Sequence, residues 1–519
     1  MAFIDITTNN LSRTLDNSLT FADNYVYVPG TTKTGDWRKP YVFASLQDFK
    51  DTCGIGSPEG SKTYEYVAGL LSAGLPVIFQ RIVATNQLAQ ISSNAPTLGI
   101  TQASTIISHT NGDETIQDIK VTEKYGGTFG NNMSVSIKIN TNAYYLLVYY
   151  DSTLLEKKKL INYTTSEPQE TVSKKLIEAL QKTQFDRIDI TVLNDDSSKF
   201  VLSQITNQEL TGGTDFNEAL VGAEIPSLLT LISDKLLYQP MFVTSGGYTD
   251  ADVSVNKPIA DALEKFTKDR QDCRALIDLP IGTDSDEIQS LASNVSYTQS
   301  TNTEEIPSAS MCAPWCYMQV GNEQLWMPAS YVYLTVVGNS ISNGGTVYTP
   351  KAGLINGTIH NIIKPEFEIG STISSKWQED GLVQVNPIMK LQGNTYVIGG
   401  NSTLLKIAED ENNAFSESSA DLAVITIRRF VYNKGMEMQY QYNSTEAFEN
   451  FSLATSNFLN TMKSQGSVMD YTIANISTND EPRVLKIKID VSLTPTIKNI
   501  EIYLNISYGS VEINAGGEE

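Results

Sequence analysis

The chain reads as a multidomain protein of mixed α/β and α+β class, a prediction carried by its length, by a stretch of alternating helices and strands, and by a strand-rich block ahead of that stretch. Its 519 residues exceed the size at which one hydrophobic core usually stops growing. From Asn217 onward helical and extended patterns alternate, which predicts a mostly parallel sheet covered by helices. Residues 96–210 instead run strand after strand, with a single convincing helix among them.

Taken in order, residues 1–24 are polar, with scattered Phe3, Ile4, Ile6 and Leu11, and suit an extended arm better than a packed element. Tyr25–Val28, Tyr41–Ala44 and Pro76–Val83 read as strands, and Ser45–Thr52 and Thr63–Ala73 as helices, the second stopped by Gly74. In the insertion, Met133, Val135, Ile137 and Ile139 alternate with polar residues, as do Ile188, Ile190 and Val192. Its one helix, Glu170–Lys182, carries Val172, Leu176, Ile177 and Leu180 on one face. Helices are expected near 226–237, 256–270 and 284–294, and strands near 240–244 and 273–279. Beyond residue 405 an α+β module is expected. It starts with a β-like segment, Ala423–Arg429, and includes a helix over 444–465 capped by Asn443 with Glu446 and stopped by Gly466. Two strands close it: Leu485, Ile487, Ile489 and Val491 alternate with polar residues, and so do Ile500, Ile502, Leu504 and Ile506, giving each strand one buried and one wet face.

Composition narrows the function classes. Hydrophobic residues make up 40% and charged residues 18%, ample for packed cores and too little charge for general disorder. A net charge of -22 and a pI near 4.6 argue against a nucleic-acid binder, which needs a basic face. Cys53, Cys273, Cys312 and Cys316 are too few for a disulfide framework and read as reduced, buried thiols. Met1–Asn10 shows no secretory signal, and the longest apolar runs, Tyr331–Val337 and Ala423–Ile427, are too short to span a bilayer.

Several separated segments together resemble the tail sheath proteins of contractile phages, pyocins and related injection machines. They are YVFASLQDFKDTCG at 41–54, YEYVAGLLSAGLPVIFQRIV at 64–83, YGGTFGNNMSVSI at 125–137, LTGGTD at 210–215, APWCYM at 313–318, MPASYVYLTVVG at 327–338, VNPIMKLQGNTYVIGGNSTL at 385–404 and TIRRF at 426–430. Their order spans nearly the whole chain, although 394–403 lacks the Trp-Gly-Ala-Arg-Thr of many members. The resemblance implies a subtilisin-like α/β main domain, an outer β-rich insertion and an α+β C-terminal sheath domain beside the tail tube, with extended terminal arms. The corresponding boundaries are 1–24, 25–95, 96–212, 213–404 and 405–519. It further implies a homo-oligomer of hexameric rings in a helical sheath, built in the host cytoplasm and carried in the virion tail. Its partners would be a tail tube protein and the baseplate and tail terminator proteins, with no cofactor, no direct nucleic-acid contact and no membrane insertion. Strand exchange between subunits would involve Phe3, Ile4, Ile6, Ile500, Ile502, Leu504 and Ile506.

The residues of chemically capable type have plainer explanations. A subtilisin-like topology invites a protease reading, but His109 and His360, the only histidines, lack a serine elbow nearby and read as structural. Cys312 and Cys316 with His360 make a poor zinc signature. SGGY at 245–248, NGG at 343–345 and IGGN at 398–401 do not continue into a phosphate loop and read as turns. Asp278, Asp284, Asp286 and Glu287 fit either a cation site or a solvated loop leading into an acidic helix start. Lys157–Lys159 read as a solvated face, and Arg428 with Arg429 as either structural or a contact to an acidic tube or neighbour. The expected function is therefore a non-enzymatic sheath subunit that works through two packings of the same folded chain. The alternatives are an α/β hydrolase with a β-rich accessory domain, and a carbohydrate-binding appendage using exposed tyrosines such as Tyr144, Tyr145, Tyr149 and Tyr150.

Overall fold

A computed structural model describes residues 24–298, 306–379, 382–391, 393–406, 413–477 and 483–497. The terminal residues expected to exchange, Phe3, Ile4, Ile6, Ile500, Ile502, Leu504 and Ile506, lie outside the described residues. The central sheet has six strands in the order Ala309–Ser310, Arg274–Leu276, Pro240–Thr244, Tyr25–Gly30, Val77–Arg81, Tyr41–Phe43. All neighbours are parallel except the last pair. Every residue of Val77–Arg81 and Pro240–Thr244 is buried, as strands covered on both faces must be. Successive side chains enter opposite covers. Val26, Val28, Val77 and Phe79 join one hydrophobic cluster with the helices Thr63–Ser72 and Ala329–Ser342. Tyr27, Ile78 and Val243 join another with Val221–Leu228 and Pro258–Arg270. Each large apolar side chain fully buried this way contributes roughly 1.5–3 kcal/mol over exposure.

The strand-rich stretch has its own hydrophobic cluster, built from residues between Ala103 and Leu210. Two antiparallel sheets line it. One joins Ser104–Asn111, Glu114–Glu123 and Ile188–Val192; the other joins Ile205–Glu209, Met133–Asn140, Ala143–Tyr150 and Thr153–Asn162 in that order. The helix Gln169–Lys182 closes the cluster with Val172, Leu176, Ile177 and Leu180, the face its spacing predicts.

Three local expectations need correction. Ala423–Arg429 is no strand but part of a 21-residue helix, Ser418–Met438. The β-branched run Val424–Ile427 mimics a strand, yet Leu422, Ala423, Ile425 and Phe430 are buried at helical spacing, and packing overrides local preference. The helix expected at 226–237 lies earlier, at Val221–Leu228 with a 3-10 turn over Leu229–Ile232. Asp234 stops it by accepting from the Leu236 N–H at 2.8 Å, and Leu236 and Leu237 stay exposed. The helix Thr445–Ser464 is capped by Ser444 rather than Asn443, because the Ser444 hydroxyl accepts from the Ala447 N–H, three residues on, at 3.2 Å. Gly466, with φ 82°, ends it as expected.

Candidate functional site: the C-terminal helix pair and its hairpin

Arg428 and Arg429 lie midway along Ser418–Met438, a helix anchored from its first turn. Asp421 there is buried against Arg274, whose Nη2 stands 2.5 Å from Asp421 Oδ2 and 2.7 Å from the Ser418 carbonyl it donates to. Ser308 adds a hydroxyl donor to the same carboxylate. This network ties the central sheet to the helix and explains how Arg274 can be wholly buried. Farther along, Arg428 Nη1 donates to Gln271 Oε1 at 2.7 Å, and Arg429 donates to the Gln239 carbonyl. With Lys235, Asp272 and Tyr432 they line a cleft of about 180 Å3 between the helix and the loops of the α/β body. Both arginines thus have structural work, and the cleft around them carries net positive charge.

The second helix stacks on the first through Phe430 and Phe458, whose rings lie 4.1 Å apart and 3° from parallel. On it rests a hairpin of Val468–Asn475 and Ile487–Leu493. Tyr471, Ile473, Ile489, Val491 and Leu493 turn toward the core but are only half-buried, so the fully buried face expected of the strand at 485–491 is not reached within one subunit. Among the described residues this sheet has two strands, and so two unpaired outer edges. Such a pair is marginal by itself and offers a template for further strands. Beside it a groove of about 380 Å3 is lined by Met436, Met438, Phe451 and Leu485, with Tyr440 and Tyr442 at its rim, 96% and 94% exposed.

The other sequence candidates are dispersed. His109 Nδ1 lies 2.6 Å from Asp118, a buried carboxylate in the insertion, while His360 is exposed at the end of a short strand. Cys312 and Cys316 are free and buried in strands, and burial pushes both thiols up. Among the described residues no group of three or more His, Cys, Asp or Glu side chains could hold a metal ion, and no helix is long and apolar enough to cross a membrane. Gly246 and Gly247 adopt positive φ in a turn, as does Gly344 just after a helix. The tyrosine surface is corrected: Tyr144 is buried, Tyr150 stacks on Phe129 at 4.2 Å, and Tyr145 and Tyr149 are only half-exposed. Lys157 and Lys159 are exposed as expected, whereas Lys158 pairs with Glu156 at 3.1 Å. Replacing His109 or His360 with alanine should leave the fold intact. Urea unfolding should register a loss of about 1 kcal/mol for His109 and less for His360.

Asp278 lies in the loop after Arg274–Leu276, but it is not solvated. It is buried, and its oxygens accept from the Ser330 N–H at 2.8 Å and from the Ser330 hydroxyl, at the start of Ala329–Ser342. The Ser330 hydroxyl also lies 3.1 Å from the Tyr66 hydroxyl. A serine and an aspartate therefore meet, but enclosed and with no histidine in their hydrogen-bond set. Burial raises the Asp278 pKa from 3.8 to about 6. A folded-state value above the unfolded one means its contribution is full below about pH 4 and is lost as pH rises through about 6. Asp278→Asn should accordingly gain about 1–2 kcal/mol on wild type between about pH 5 and about pH 7.5, read by urea unfolding at both values. An unchanged difference would show that Asp278 does not titrate in this window.

No family model matches the chain, and no curated protein matches it. Its fold does match solved structures. One is a sheath tail protein from Listeria innocua, with TM-score 0.62 and 11% identity over 91% of this chain and 92% of that one. Another is a sheath tail protein from Desulfitobacterium hafniense, with TM-score 0.54 and 11% identity over 95% of this chain and all of that one. At such identities the likeness speaks for architecture alone, and it extends to the central sheet, the insertion and the C-terminal module together: this chain has the fold of sheath tail proteins.

Proposed function

We propose that the chain is the structural subunit of a contractile tail sheath, polymerising in stacked rings around a tail tube and contracting to drive the tube through a host envelope. One observation carries this reading: the fold is shared with two sheath tail proteins over at least nine-tenths of every chain compared. The motif order read from the sequence points the same way. The subunit acts without catalysis, and its work comes from the free-energy difference between two packings of one folded body. Its place is the tail, with the tube protein, baseplate and tail terminator as partners.

The division into an arm at 1–24, a subtilisin-like α/β body from 25–95 and 213–404, an outer insertion at 96–212 and a tube-proximal domain at 405–519 is supported by the separate hydrophobic cluster of the insertion. It is supported too by the close pairing of its two crossings, Thr101 with Thr214 and Ser104 with Thr211. The two-stranded hairpin supports strand exchange, since the edges left open among the described residues can accept the terminal segments holding Phe3, Ile4, Ile6 and Ile500–Ile506 from another subunit. The cationic cleft of Arg428 and Arg429 suits an acidic tube or neighbouring subunit. Negative-stain microscopy of the purified full chain tests the reading: tubes or stacked rings are expected, and particles that stay monodisperse at every concentration and salt would overturn it.

A further inference from the structure

Two chain crossings joining an inserted domain to its host ordinarily leave it free to swing. At this junction the opposite arrangement is built. Arg81 ends the central strand Val77–Arg81 and is buried to 1% exposure. Its guanidinium donates to four carbonyls from both sides of the boundary: Thr32 at 3.1 Å and Gly35 at 2.7 Å in the α/β body, Tyr125 and Gly126 at 2.8 Å each in the insertion. Glu123, fully buried in the insertion, answers in reverse, accepting from Thr34 Oγ1 at 3.2 Å and from the Gly126 N–H. On the return crossing Asp215 accepts from Thr128 N–H at 2.8 Å and Thr128 Oγ1 at 2.7 Å. Asn131 and the Gly213 backbone exchange a reciprocal pair at 2.8 and 2.9 Å. Gly127, at φ 112°, fits only because it has no side chain, since a Cβ there would stand 2.3 Å from the Lys33 carbonyl and 2.9 Å from Arg81 Nη2.

We propose that Arg81 and the glycine turn at 125–131 form a rigid mount, so that the outer insertion and the α/β body move as one piece and any displacement of the subunit reaches its outer surface undiminished. Swinging the insertion would strip carbonyls from a buried guanidinium and part Glu123 from Thr34, at the cost of breaking charge-assisted bonds in a buried setting. Arg81 is in this sense a positioning residue. The inference rests on the domain division proposed above and not on assembly, so it can be tested on free subunits.

Spin labels at Lys174→Cys in the insertion and Lys265→Cys in the body, both on exposed positions, report the distance between the two by pulsed electron resonance. The buried native thiols should stay unlabelled. Wild type should give one narrow distance peak, and Arg81→Met should broaden it about twofold or more while the far-UV circular dichroism stays unchanged. Should Arg81→Met fail to fold, Asp215→Ala, which releases Thr128 and removes a carboxylate near Arg81 while leaving the carbonyls of Arg81 in place, decides by the same measure. A broad wild-type distribution would overturn the mount, and a narrow one in folded variants would overturn the part assigned to these side chains. Failure to form tubes bears on the proposed function and leaves this result untouched.

Discussion

Asp421→Ala is expected to destabilise the chain by about 3–5 kcal/mol, the cost of leaving a buried cation without its partner. Arg274 is fully buried, and its guanidinium holds the strand Arg274–Leu276 to the first turn of Ser418–Met438 through Asp421 and Ser418. Removing the carboxylate also strips the Ser308 hydroxyl of its acceptor. Guanidinium unfolding followed by tryptophan fluorescence reads the loss directly. The pair Arg274→Met with Asp421→Leu should recover most of it, because an apolar pair of similar volume buries no charge. A single variant within about 1 kcal/mol of wild type would mean that water already reaches Arg274.

Removing residues 1–20 or residues 497–519 should give folded, soluble subunits that form no long tubes. A donated strand gains ladder hydrogen bonds along an open edge of the hairpin and covers apolar side chains that one subunit leaves half-buried. Each link is modest, but links around a ring act together through effective concentration, so loss of either partner removes long-range order rather than weakening it in proportion. Sedimentation and negative-stain microscopy of the two truncations beside the full chain read the outcome. Normal polymerisation by both would rule out strand exchange, and unfolding of the C-terminal truncation alone would assign that segment to its own subunit's sheet.

Much of the fold was legible where hydrophobic period and punctuation agree. Thr63–Ser72 with Gly74, Pro258–Arg270 and Gln169–Lys182 all lie where spacing puts them, and the alternation after Asn217 supplies three of the six strands of a mostly parallel sheet. The architecture shared with sheath tail proteins agrees with the order of short motifs, each weak alone. Errors arose where two local signals compete. Val424–Ile427 carries strand residues inside a helix that the core imposes, and Asn443 and Ser444 are adjacent, equally able caps, of which Ser444 takes the N-cap position. The buried charges were illegible for a different reason. Arg81, Arg274 and Asp278 look in sequence like any surface charge, and only tertiary structure reveals the carbonyls, carboxylate and helix start that hold them. An arginine closing a strand that opens with Val77, Ile78 and Phe79 is the one available hint.

The four thiols have a consequence for oxidative chemistry. Disulfide exchange and sulfenic acid formation both begin with a thiolate that a reagent can reach. Cys53 is buried with its pKa pushed up to about 12, and Cys273, Cys312 and Cys316 are raised further by the same burial. At neutral pH the folded chain presents air, peroxide or glutathione with almost no thiolate. The folded chain can therefore pass from a reducing to an oxidising environment without forming disulfides.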